Sequence, residues 1–123
     1  MNYEDLLLYC SAKPGVTDGF PFGEPTLVFK VMGKMFAACS LDETDPRVNL
    51  KCDPERALEL RESYSDIIPG WHMNKKHWNT VYMERELTDE TIHDLIDHSY
   101  DLVVAKLPKQ QKQELEQLKG STK

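Results

Sequence analysis

The sequence predicts a single α+β domain spanning residues 1–123, an antiparallel sheet of about five strands with helices packed mainly on one face. Two observations predict it. Runs of alternating apolar and polar residues between 26 and 52 follow one another as hairpins, and helical stripes with period 3.6 flank them on either side. Strands in runs, with helices around them, describe an α+β sheet and not a parallel doubly wound one. A chain of 123 residues is long enough for one sizeable core and too short for two.

The expected order is α-β-β-β-α-β-β-α plus a short C-terminal helix. Residues 2–13 open as a helix: Tyr3, Leu6, Leu7 and Cys10 share a face, Asn2 can cap it, and Lys13-Pro14-Gly15 stops it. Three prolines and three glycines make Pro14 to Pro25 a loop, with Phe20 and Phe22 tucked back onto the body. In Thr26–Val31 the set Leu27, Phe29 and Val31 faces the core. A three-residue turn, Met32-Gly33-Lys34, leads to the return strand Met35–Leu41. After the acidic loop Asp42–Pro46, residues 47–52 put Val48, Leu50 and Cys52 inward and Arg47, Asn49 and Lys51 outward, giving a sheet with one wet face.

Asp53-Pro54-Glu55 starts a helix with the buried stripe Ala57, Leu60 and Tyr64. Ile67-Ile68 leads into the stretch Pro69–Val81, and residues 78–83 form another strand. Thr88-Asp89-Glu90 starts the last major helix, with stripe Ile92, Leu95, Ile96, Ser99 and Val103, which ends at Pro108. The tail from Lys109 is helix-permissive with few apolar residues, so its last turn should fray.

Composition narrows the function classes. Fifteen basic against twenty-one acidic residues give a net charge of −6, which favours solubility and opposes nonspecific binding to polyanions. Residues 69–81 are the exception: they hold Lys75 and Lys76, His72 and His77, Trp71 and Trp78, and no acidic residue. No apolar run can span a bilayer, and the N-terminus lacks a signal-peptide pattern. Three cysteines, none in a Cys-x-x-Cys pair, read as reduced, mostly buried thiols of a cytoplasmic protein.

Several stretches together resemble the MmcQ/YjbR family, small bacterial proteins often described as DNA-binding. They are Leu6–Gly15, Val31-Met32-Gly33-Lys34-Met35-Phe36-Ala37, Asn49-Leu50-Lys51-Cys52, His72-Met73-Asn74-Lys75-Lys76-His77-Trp78, and Ser99-Tyr100 followed by Leu107-Pro108. The resemblance covers nearly the whole chain. It implies a CyaY-like or secretion-chaperone-like α+β fold and a double-wing mode of DNA binding.

For the island at 69–81, each functional reading has a plainer rival. Trp78 reads as structural, whereas Trp71, after Pro69-Gly70, is balanced between core and contact. Lys75, Lys76 and Asn74 suit either phosphate contacts or a solvated turn. If this loop folds over the wet sheet face, Arg47, Asn49, Lys51 and Lys30 would join it in a basic groove. His72 and His77 have no established metal spacing, and no metal or other cofactor is expected. No nucleotide loop, nucleophile elbow or zinc-protease helix is present, so no catalytic residue is assigned and the chain is read as a non-enzyme.

The expectation is therefore a binding module. Its DNA site would consist of Lys51, Lys75, Lys76, Arg47, Asn49, Asn74, His72 and Trp71, with weak and salt-sensitive affinity. The alternative is a module for a protein or peptide partner without nucleic acid. Either would be free of the membrane, and a monomer or weak homodimer.

Overall fold

The structure, a computed structural model, describes residues 1–121. Its elements are α1 (Tyr3–Ser11), β1 (Val16–Gly19), β2 (Thr26–Val31), β3 (Lys34–Ser40), β4 (Arg47–Lys51), α2 (Pro54–Ser63), β5 (Ile67–Pro69), β6 (Trp78–Tyr82), α3 (Asp89–Ala105) and α4 (Lys109–Ser121). The strands form one antiparallel sheet in the order β1-β2-β3-β4-β6-β5.

The sheet has six strands, one more than the pattern predicts. The addition is β1, inside the stretch read as a loop, where β-branched Val16 and Thr17 pair with Val31 and Lys30. The hairpin between β2 and β3 turns on two residues and not three: Met32 (φ 48) and Gly33 (φ 83) both lie in the left-handed region, as the primed turns require.

The core lies between the sheet and the helices. Leu27, Phe29, Val31, Val48, Leu50, Ile67 and Val81 of the sheet pack with Leu6 and Cys10 of α1 and Ile92, Leu95, Ile96, Tyr100 and Val103 of α3. Asn2 caps α1 by exchanging side-chain bonds with Asp5, Asp53 caps α2 and Thr88 caps α3, where the residue types indicated. Ser99, fully buried on the apolar stripe of α3, donates to Phe36 O (2.5 Å) and accepts from the Lys51 N–H (2.9 Å), tying the helix to β3 and β4.

Three expectations fail locally. Tyr64 is not part of the α2 stripe: it is the extended C-cap residue (φ −130, ψ 119) and is exposed. Phe20 and Phe22 are not tucked in but stand 38% and 77% exposed, and Leu7, read onto the buried face of α1, is 37% exposed. The fraying expected of the last turn concerns the chain end, which lies outside the described residues. Among the described residues, no helix is long and apolar enough to cross a membrane.

Candidate functional site

The face of the sheet away from the core carries a row of opposed residues, Val28, Ala38, Asn49, Thr80 and Ile68, running from β2 to β5. Two loops cover this face from opposite sides. The 20–25 loop lies over the β2 end, and the 70–77 loop lies over the β6 end, next to the buried Trp78. Between them runs a groove of about 600 Å³, within the range of ligand sites, roughly 300–1,000 Å³. Val28, Ala38 and Asn49 are its floor, Phe22 and Pro25 one wall, and Trp71, His72 and Met73 the other.

The Trp71 wall is built from the backbone outward. Gly70 sits so close to β6 that a Cβ there would meet Trp78 Cβ at 2.8 Å and Trp78 O at 2.9 Å, so the position accepts only glycine without a shift. The Gly70 N–H bonds Trp78 O (2.9 Å), and the Trp71 N–H bonds Thr80 Oγ1 (2.9 Å). Asn49 Nδ2 donates to Trp71 O (3.2 Å) and Thr80 Oγ1 donates to Asn49 Oδ1 (2.5 Å). The indole is thus 57% exposed on a fixed peptide. His72, at φ 60, sets its ring edge-on to it, 5.1 Å between centroids.

Four of the eight expected site residues, Arg47, Asn49, Trp71 and His72, therefore meet at one groove, and the loop does fold over the sheet face. The groove is not basic. Arg47 is held by Glu43 (2.7 Å) and also donates to the Tyr82 hydroxyl (3.3 Å), and Asp42 and Glu43 line the same end. Lys75, though exposed, has its ammonium bonded back to Gly70 O (2.9 Å), and Asn74 Oδ1 accepts the Lys76 N–H (2.9 Å) to shape the turn. Lys51, Lys75, Lys76 and Asn74 are not among its lining residues, and Lys30 lies beside Asp18 and Phe20 in a separate hollow.

Phe22, Thr80 and Glu43 are the residues that sequence reasoning missed here. Thr80 could have been found by pairing residues 78–83 against 47–52, since it falls opposite Asn49. The three cysteines are free and buried, and burial pushes the Cys10 and Cys39 thiols up to about 12 and raises Cys52, so thiolate is scarce at neutral pH. Among the described residues, no group of three or more His, Cys, Asp or Glu is placed to hold a metal ion.

Residues 11–102 match the model of the YjbR family. The chain is similar to YjbR of Escherichia coli strain K12, 40% identical over 118 residues that cover 96% of this chain and 100% of that one. It is similar also to YbdF of Escherichia coli O157:H7, 44% identical over 90 residues, 73% of this chain and 74% of YbdF. The crystal structure of a Deinococcus radiodurans protein shares the fold with a TM-score of 0.87 at 39% identity, covering 94% of this chain and 88% of that one.

Proposed function

The chain belongs to the YjbR family, and from that premise we propose that it is a non-enzymatic binding module that takes a largely apolar peptide segment in the groove of its open sheet face. The observation that carries this reading is the pair of exposed rings, Phe22 and Trp71, on opposite walls above a floor of small side chains. Exposed aromatics on fixed backbone contribute contact area with little entropy left to lose. Thr26, Ser40 and His72 also line the groove, and their polar groups suit a peptide backbone.

Charge decides between a peptide and a polyanion. The charged side chains lining the groove are Asp42, Glu43 and Arg47, and Arg47 is already paired with Glu43. A phosphate backbone laid there would find the one guanidinium already taken by Glu43 and would face the Asp42 carboxylate, whereas an apolar or cationic peptide would meet no such repulsion. The three free thiols support a reducing compartment.

The test is selection from a random linear peptide library displayed on phage, with a Phe22→Ala, Trp71→Ala double variant as counter-selection. Both side chains are exposed, so the variant should keep its fold. Expected are sequences rich in aromatic and long aliphatic residues that lose about tenfold or more in affinity, about 1.4 kcal/mol, on either single substitution. No enrichment over the double variant would overturn the reading. So would amide shifts at 47–51 and 70–79 that a short DNA duplex causes at low salt and that fade at physiological salt, which would favour nucleic acid instead.

A further inference from the structure

One side chain reaches the Trp71 loop from the helical side of the sheet. Arg61 lies in the last turn of α2, where a cation suits the helix dipole. Its donors, however, go elsewhere. Nε donates to Asn79 Oδ1 (2.7 Å), and Nη2 donates to Lys75 O and to Trp78 O (3.3 Å). Asn79, opposite Leu50 on the inward face and 2% exposed, passes the link back to α2 through Nδ2 and Ala57 O (3.5 Å).

Of the two carbonyls that Arg61 holds, Lys75 O lies within the turn of the loop and Trp78 O at its end. Asn74 O accepts from the N–H groups of His77 (3.3 Å) and Trp78 (3.0 Å) to close that turn, and Lys75 Nζ then reaches back to Gly70 O, beside Trp71. Trp78 O also accepts the Gly70 N–H (2.9 Å), so the guanidinium and the residue that precedes Trp71 share one acceptor, and the Lys75 side chain adds a second tie to that peptide. A planar fork can satisfy acceptors in several directions at once; an ammonium in the same place cannot hold all of them in one geometry.

We infer that Arg61 is a positioning residue for the groove: acting from the helical layer and lining no part of the groove, it sets the place of the Trp71 wall. The inference rests on the reading of the groove as a peptide site. Its specific consequence is that binding and loop geometry fail together when Arg61 is changed, although the residue is remote from the ligand.

The experiment compares Arg61→Gln and Arg61→Lys with Leu60→Ala, which loosens the packing of the same helix without touching the loop. Backbone amide and indole resonances are recorded in the absence of ligand, and affinity is measured for one peptide selected on the wild-type protein. Both Arg61 variants should shift the amides of 70–78 and the Trp71 indole N–H and weaken the peptide, Lys less than Gln. Leu60→Ala should lower the Tm and leave loop resonances and affinity as they were. Loop resonances in Arg61→Gln matching those of Leu60→Ala would overturn the inference. If instead Phe22→Ala and Trp71→Ala bind the peptide as well as wild type, the peptide-groove reading fails, while the ligand-free spectra still decide whether Arg61 sets the loop.

Discussion

Asn49 and Thr80 sit opposite each other on β4 and β6, and their side chains clasp the peptide of Trp71 as a neighbouring strand would. Thr80 is fully buried, and its hydroxyl both accepts from the Trp71 N–H and donates to Asn49. Thr80→Val keeps the shape and removes both bonds, leaving a backbone donor without its partner. A loss of about 1–3 kcal/mol is expected in urea denaturation, with faster hydrogen exchange at the Trp71 amide. Asn49→Ala should cost less, because Asn49 is only half-buried.

Gly70→Ala should be destabilising for a different reason. The added methyl would lie 2.8 Å from Trp78 Cβ, 2.9 Å from Trp78 O and 3.1 Å from Met73 Cβ, and the second of these is backbone that cannot swing aside. Overpacking of this kind costs about 1–3 kcal/mol. Thermal melts would report it, and an unchanged Tm would show that the loop can lift from β6 freely.

Ser99→Ala tests the tie between α3 and the sheet. It strips a partner from Phe36 O and from the Lys51 N–H at a site with no exposure. Buried backbone groups left unpaired cost about 1–3 kcal/mol each, so equilibrium unfolding should show a loss larger than that of an ordinary surface serine. Ser99→Cys should recover little of it, since a thiol is a weak donor.

The pH dependence should pass through His98. Its Nε2 accepts the Asp53 N–H at 3.2 Å, a contact open only to the neutral ring. Burial of the imidazole, and then the Arg56 guanidinium, hold its pKa below 6.5, against the pull of Asp53 and Asp101. Its contribution to stability is therefore complete above the unfolded value and is lost as the pH falls through the folded one. His98→Gln, whose amide oxygen accepts at any pH, should flatten that part of the acid limb. Melts of both proteins from roughly pH 5 to pH 8 would check it, and parallel curves would count against His98.

The helices and the wet face of β4 were legible because burial there follows a simple period. Val48 and Leu50 turn inward while Arg47, Asn49 and Lys51 turn outward, and three capping residues mark helix starts. Strand β1 was not legible. A four-residue edge strand leaves little side-chain pattern, and its identity lies in backbone bonds to β2. The charge of the groove was misjudged for a related reason. Counting lysines and arginines along the chain cannot reveal that Glu43 takes the Arg47 guanidinium or that the Lys75 ammonium bonds Gly70 O of its own loop. Arg61 was invisible because its partners lie 14 to 18 residues away in sequence, across a strand.

The strand order also says something about time. β1, β2 and β3 each pair with the next strand in the chain, so each pairing closes a short loop. β6 must instead find β4 across the whole segment that carries α2 and β5, a closure with a larger entropic penalty. The Trp71 loop gains its bonds to Thr80 and Asn49 only once β6 has docked. In refolding, the meander should assemble first and the groove last, with φ-values that are high in β2 and β3 and low at Thr80. If the proposed groove is completed last, it belongs to the low-stability end of the fold, and amide exchange at 70–77 should be faster than in β2 and β3.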